Sequence, residues 1–291
     1  MGTIRDDDFP NYYYGVGVAR LGRGDILVVS GFVDGSKPPK PPLSLGVVMT
    51  STDGGKKWAD HVTVSNDTWL GGPAGLLYDG KGGGHIVVPS ATATSVFSAP
   101  LEASGKTGPW VATPAGTGWH AGPMVLYPGG GGKLGKVVLT GVQLCLSSDA
   151  AATFLCRPAA DEVFDGGVAE QKTNASNWLT GGGSIAPDLA GWVHRSSDGG
   201  QTWGNRTLQA PYPIRWVGFG CGAEDAKLAL AAGGNYFSGV GGIWSSADLG
   251  ATWKLEVDTG AEMSSCAVGL GFVTCVGASA HKQSVVATAK C

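Results

Sequence analysis

Long hydrophobic runs are missing from this chain. Its longest apolar stretches, such as Ile26-Leu-Val-Val29 and Val137-Val-Leu-Thr140, are strand-sized. A membrane-spanning helix needs roughly 20 such residues, so no membrane span is expected. Charge is scarce too: charged residues are 15% of the 291, the net charge is −3, and the lysines and arginines are scattered rather than run together. That surface lacks the basic stripe that neutralises phosphates, which argues against nucleic acid as a partner. Helical periodicity is absent as well, which favours strands and turns throughout. His61, His85, His120, His194 and His281 have no i,i+4 or Cys-x-x-Cys companion, and no D-x-D-x-D-G calcium loop occurs, so no metal or other cofactor is expected. Gly130 to Lys136 satisfies the spacing of a phosphate-binding loop, but Val137 stands where that loop needs a hydroxyl, and the stretch reads as a turn.

Glycine is plentiful, 50 of 291, and much of it belongs to a repeat. Four times a serine is followed two residues later by an aspartate and, five residues after that, by an aromatic. The copies are Ser51-Thr-Asp53-Gly-Gly55-Lys-Lys-Trp58, Ser147-Ser-Asp149-Ala-Ala-Ala-Thr153-Phe154, Ser196-Ser-Asp198-Gly-Gly200-Gln-Thr202-Trp203 and Ser246-Ala-Asp248-Leu-Gly250-Ala-Thr252-Trp253. The aspartates stand at 53, 149, 198 and 248, giving gaps of 96, 49 and 50, or one period of about 49 with a copy lost. The lost copy falls near Ser104-Gly-Lys-Thr-Gly-Pro-Trp110, which keeps the tryptophan but not the aspartate. Each copy reads as a tight turn in which aspartate and serine bind backbone N–H groups, glycine supplies positive φ, and the aromatic folds beneath.

The repeat resembles the Asp box of sialidases and related propellers, S-x-D-x-G-x-T-W. In that family the box joins the third and fourth strands of a blade on the face away from the active site, which implies that none of these four aspartates is catalytic. Length over period gives roughly six blades. The expectation is thus an all-β chain, residues 1–291 forming a single six-bladed β-propeller of four-stranded antiparallel blades. The sixth blade runs out of chain after its third strand, so residues near Gly2 to Asp6 are expected to close it.

Phased by the boxes, inner strands begin near Tyr14, Trp69, His120, Val168, Trp216 and Ser264. Their starts, with the loops between second and third strands, are expected on the face opposite the boxes, where propellers bind ligands. The ligand-binding candidates gathered there are Tyr12, Tyr13, Trp69, Trp119, Arg215, Trp216, Tyr236 and Glu262. Aromatic faces stack on sugar rings and a guanidinium grips a carboxylate in a fork. The catalytic candidates are Asp34, Glu170, His120 and Tyr14. By position Asp34 fits the sialidase acid/base and Glu170 the glutamate partner of the tyrosine nucleophile. The rest departs: Tyr13-Tyr14-Gly15-Val16 replaces the Phe-Arg-Ile-Pro motif, Ile185-Ala-Pro187 and Asn235-Tyr236-Phe237 stand where two further arginines belong, and Met263-Ser264 replaces the nucleophile. Without a triple arginine clamp, conventional sialidase activity is not expected.

Six cysteines and three sequons, Asn66-Asp-Thr68, Asn174-Ala-Ser176 and Asn205-Arg-Thr207, fit a secreted, disulfide-bonded glycoprotein. Cys145 and Cys156 flank one box, and Cys266 and Cys275 flank the Leu270-Gly271 turn, so each pair is placed to face across a hairpin. Cys221 and Cys291 then remain for each other, one of several possible connectivities. The polar, acidic start, Met1-Gly-Thr-Ile-Arg-Asp-Asp-Asp, reads as that of a mature or trimmed chain. The favoured function is a secreted, monomeric propeller that binds a glycan or small organic ligand opposite the boxes. The alternatives are a non-sialidase glycoside hydrolase or lyase using the same pocket, and a non-catalytic assembly scaffold.

Overall fold

The computed structural model describes residues 17–20, 26–34, 44–59, 62–65, 75–78, 83–90, 95–115, 124–127, 135–140, 143–158, 166–171, 173–183, 190–220, 227–235, 237–269, 271–279 and 284–290. These residues form antiparallel sheets whose strands follow one another in chain order. By its contacts the chain divides into two compact units, Met1–Leu139 with Gln143–Cys156, and Thr140–Val142 with Arg157–Cys291.

In the first unit, β1 (Gly17–Arg20), β2 (Leu27–Asp34), β3 (Ser44–Ser51) and β4 (Val62–Ser65) make one sheet, and β5 (Gly75–Tyr78), β6 (Gly84–Pro89), β7 (Ser95–Leu101) and β8 (Val111–Pro114) a second. A third comprises β9 (Met124–Tyr127), β10 (Lys136–Leu139), β11 (Gln143–Ser147) and β12 (Leu155–Pro158), the last two residues of which are counted with the second unit. The second unit holds β13 (Val168–Gln171), β14 (Asn174–Gly183), β15 (Gly191–Ser196) and β16 (Leu208–Ala210), then β17 (Ile214–Phe219), β18 (Ala229–Asn235), β19 (Val240–Ser246) and β20 (Lys254–Asp258). Its last sheet has three strands, β21 (Glu262–Gly269), β22 (Phe272–Ala278) and β23 (Ser284–Lys290). The fourth strand expected from residues 2–6 lies outside the described residues.

Burial explains why these segments are strands. β18 is buried along its whole length, whereas β20, the outer strand of the same sheet, is almost entirely exposed or half-buried. Alternation then assigns the buried side chains to two cores. Ala229 and Ala231 pack with Leu179, Val193, Ile214 and Trp244 toward the preceding sheet, while Leu230 and Ala232 pack with Ile243, Met263 and Val273 toward the following one. In the first unit β6 does the same, sending Ile86 and Val88 to one core and Val87 to the next.

Glycine lets the chain cross closely from sheet to sheet. A Cβ on Gly191 would collide with the Tyr212 carbonyl oxygen, and one on Gly241 with that of Ala261. Gly191 is the first residue of β15 and Gly241 the second of β19, both buried, and Tyr212 and Ala261 lie in the connections to β17 and β21. The repeat therefore requires glycine there for backbone contact, not for turning.

All four S-x-D turns share one hydrogen-bond scheme. The serine hydroxyl donates to the aspartate Oδ1 at 2.7–3.0 Å and accepts the N–H of Gly55, Ala151, Gly200 or Gly250 at 2.7–2.9 Å. Oδ1 also accepts the N–H of Lys57, Thr153, Thr202 or Thr252 at 2.8–2.9 Å. In three turns the threonine hydroxyl donates to Oδ2 at 2.6–2.7 Å. Those hydroxyls, first among several donors, hold Asp198 and Asp248 well below the usual carboxylate range. At Asp149 burial opposes the shift, but the bonds from Thr153 and Ser147 outweigh it. Asp53 is lowered chiefly by the Lys57 N–H. An aspartate so occupied is a structural staple.

Two disulfides fall where the hairpin spacing placed them. Cys145 of β11 is bonded to Cys156 of β12, and Cys266 of β21 to Cys275 of β22, its direct register partner. Cys221 and Cys291 lie outside the described residues.

Candidate functional site

Register fixes where each candidate stands along its sheet. In the β17–β18–β19 sheet the turn serine Ser246 pairs with Ala229, and Ala229 with Phe219. At the other end Gly242 pairs with Gly233 and Gly233 with Ile214. These two rows are four residues apart on β18, roughly 13 Å of strand. Arg215 lies at the second end, the far end from the S-x-D turn.

A β-bulge sits between Ile214 and Trp216, leaving Arg215 as the extra residue, and bulges re-aim side chains. The re-aimed guanidinium places its Nε 3.2 Å from Oε1 of Glu262, the first residue of β21. Glu262 is also at the far end, since Gly234, one residue beyond Gly233, would press a Cβ against the Glu262 backbone. Each side chain keeps 18% of its surface exposed, so the pair is partly reachable, although the arginine Nε itself is buried and meets the carboxylate as an ion pair without hydrogen-bond geometry. Arg215 and Glu262, chosen from sequence as inner-strand starts, are thus brought together.

Glu170 is placed differently. Ser196 pairs with Trp178, and Trp178 with Glu170, so Glu170 stands in the row of the S-x-D turn itself. Packing gives the same answer: Gly167 lies beside the backbone of Trp216 and Val217, and Glu170 is three residues further toward the turn end. It is the penultimate residue of its strand rather than the first, and is separated from Arg215 by most of the sheet's height.

Trp216 is directed along its own strand. Its ring covers Gly218, where a Cβ would strike it, and it packs against the core shared by β18, β19 and β21. The indole is half-buried, and its ring is directed from the far end toward Gly218. Asp34 ends β2 and pairs with Ser44, which puts its backbone at the hairpin away from the Ser51 turn, as expected of a second-to-third-strand loop. Tyr12, Tyr13, Tyr14, Trp69, Trp119, His120 and Tyr236 lie outside the described residues.

Sequence reasoning passed over Tyr212, which precedes the bulge. Its ring centroid is 5.3 Å from that of Trp244, and burial, then the charge of Asp258, push its phenol up to about 12. It is a neutral packing group behind the arginine strand. Next to Tyr236, Asn235 is buried and its Oδ1 accepts the Phe237 N–H at 2.9 Å, so this turn presents Phe237, 87% exposed, beside the far end. Among the described residues no cluster of three His, Cys, Asp or Glu could hold a metal, and no helix is long and apolar enough to cross a membrane.

No protein-family model matches this chain, and no curated protein matches it by sequence. Solved structures do match by fold. The chain is similar to YCF48 from Cyanidioschyzon merolae with a TM-score of 0.58 at 16% identity, over 94% of this chain and 82% of that one. It is similar to the Hadza microbial sialidase Hz136 with a TM-score of 0.54 at 16% identity, over 98% of this chain; it spans 66% of the sialidase's length. A Penicillium chrysogenum α-L-arabinanase complexed with arabinobiose matches with a TM-score of 0.51 at 12% identity, over 97% and 94% of the two chains. Antiparallel sheets in chain order and these likenesses agree: the fold is that of a sialidase-like β-propeller.

Proposed function

We propose that this protein is a secreted carbohydrate-binding propeller that recognises an oligosaccharide at the far end of its second unit, opposite the S-x-D turns, which we read as Asp boxes. The Arg215–Glu262 pair carries the reading. A bulge aims the arginine, a carboxylate holds it, and an exposed fraction remains for a ligand. Arginine and glutamate together supply donors and acceptors for sugar hydroxyls, and Phe237 offers an exposed ring in the β18–β19 turn at the same end of the sheet. The two hairpin disulfides suit an oxidising, extracellular setting. Tyr236, in the second unit, remains part of the proposal as a further ligand contact, while Asp34, Tyr12, Tyr13, Tyr14, Trp69, Trp119 and His120 belong to the first unit and remain candidates there.

An enzyme on the same face would need another acid/base set than one using Glu170, because Glu170 stands at the turn end of its sheet. Titration of a glycan array, with turnover assays on sialosides, arabinosides and uronate polymers, tests both readings. Saturable binding that Arg215→Lys weakens by about tenfold, without turnover, supports the binding protein. Binding unaffected by Arg215→Lys removes its basis.

A further inference from the structure

The repeat departs from its own pattern at two places that face each other. In the first S-x-D turn, Lys57 stands where Thr153, Thr202 and Thr252 stand in the others. In the neighbouring sheet, the turn that lost its aspartate has become the short Glu102–Lys106 loop, where the Gly105 N–H donates to the Glu102 carbonyl at 2.9 Å. Thr50 of β3 donates its hydroxyl to the Gly105 carbonyl at 3.0 Å in a buried bond, and Gly105 leaves no room for a Cβ against Thr52. The two loops are therefore fastened together, and between them lies a cleft of about 370 Å³ lined by Lys57, Trp58, Thr52, Asp53, Ser104 and Lys106 among others. That volume falls within the range of small-ligand sites.

Its chemistry is specific. Asp53 Oδ1 is occupied by the Ser51 hydroxyl and the Lys56 and Lys57 N–H groups. Oδ2, which receives a threonine hydroxyl in the other three turns, has no donor here among the described residues. The exposed ammoniums of Lys57 and Lys106 are unpaired among the described residues, and Trp58 contributes part of its ring. We propose that this cleft is a second ligand site, for a monosaccharide carrying a carboxylate or sulfate. A sugar hydroxyl takes the position of the missing threonine at Asp53 Oδ2, the ring lies on Trp58, and the anionic group meets Lys57 and Lys106.

Titrations of the intact protein with glucuronate, glucose-6-sulfate, glucose and inorganic sulfate, followed by amide shifts of Gly105 and Lys57, test this. Lys57→Thr restores the threonine of the other turns and is expected to fold as well as the parent, so lost binding cannot be ascribed to unfolding. The expected result is that either anionic sugar binds more tightly than glucose or sulfate, with affinity falling about tenfold in Lys57→Thr and in Lys106→Gln. Arg215→Lys should leave this binding unchanged. Glucose binding as well as both anionic sugars, sulfate competing as well as they do, or affinity indifferent to both lysine variants overturns the proposal. A loss confined to Arg215→Lys also overturns it, while leaving the far-end site standing.

Discussion

Arg215 and Glu262, 47 residues apart in the chain, form a 3.2 Å ion pair between the inner strands of neighbouring sheets. The pair is partly open to water, so its direct contribution to stability is small, no more than about 1 kcal/mol. Glu262→Gln should therefore leave the melting temperature nearly unchanged while loosening the guanidinium and weakening oligosaccharide binding several-fold. Calorimetric melting and titration of the same sample check both halves; a large loss of stability with unchanged binding would make the pair purely structural.

The S-x-D turns predict an acid limb to stability. Asp198 and Asp248 have native pKa values held down by Thr202 and Thr252, so they bind fewer protons folded than unfolded. Their contribution is complete above the unfolded value of about 3.9 and is lost as pH falls through the native values. Thr202→Val with Thr252→Val should raise those native values and flatten the loss of melting temperature below about pH 4. Melting curves across the acid range decide it; an unchanged slope would disconnect the hydroxyls from the acid response.

Left-handed backbone at non-glycine residues gives a third test. Leu249 has φ 61° where Gly54 and Gly199 occupy the same place in other turns, with φ of 74° and 73°. Leu249→Gly should stabilise by up to about 1 kcal/mol, since relief of the left-handed strain exceeds the added freedom of the unfolded chain. Gly250→Ala should do the reverse by about 1–2 kcal/mol or more, because φ is +82° and the new Cβ would lie 2.8 Å from Leu179 Cδ2. Urea unfolding of both variants measures the pair.

The Cys266–Cys275 bond closes a short loop, with a sequence separation of 9. Its removal by Cys266→Ser with Cys275→Ser should cost about 2–3 kcal/mol. Urea midpoints with and without reductant check this, and peptide mapping without reduction checks the pairing. A mixed pairing would contradict the hairpin register.

Local spacing made part of this architecture legible in the sequence. Ser246 and Asp248 lie two residues apart and satisfy one another, so their turn can be read without knowing the rest of the fold. Cys266 and Cys275 straddle a tight turn, and antiparallel register does the rest. What spacing cannot convey is which end of a strand a residue occupies. By phase Glu170 falls close to the strand start at Val168, but pairing through Trp178 to Ser196 puts it at the turn end. The bulge at Arg215 depends on how β17 meets β18, and the direction of the Trp216 ring depends on the space left by Gly218. Lys57 replaces the threonine of the other three turns, and its meaning depends on the neighbouring Gly105 loop.

Whether the far end of the second unit is a carbohydrate site is tested most directly by titration of Arg215→Lys against the best glycan found for the parent protein. An affinity about tenfold weaker, with the melting temperature preserved, is the predicted result. Equal affinity in parent and variant would contradict it.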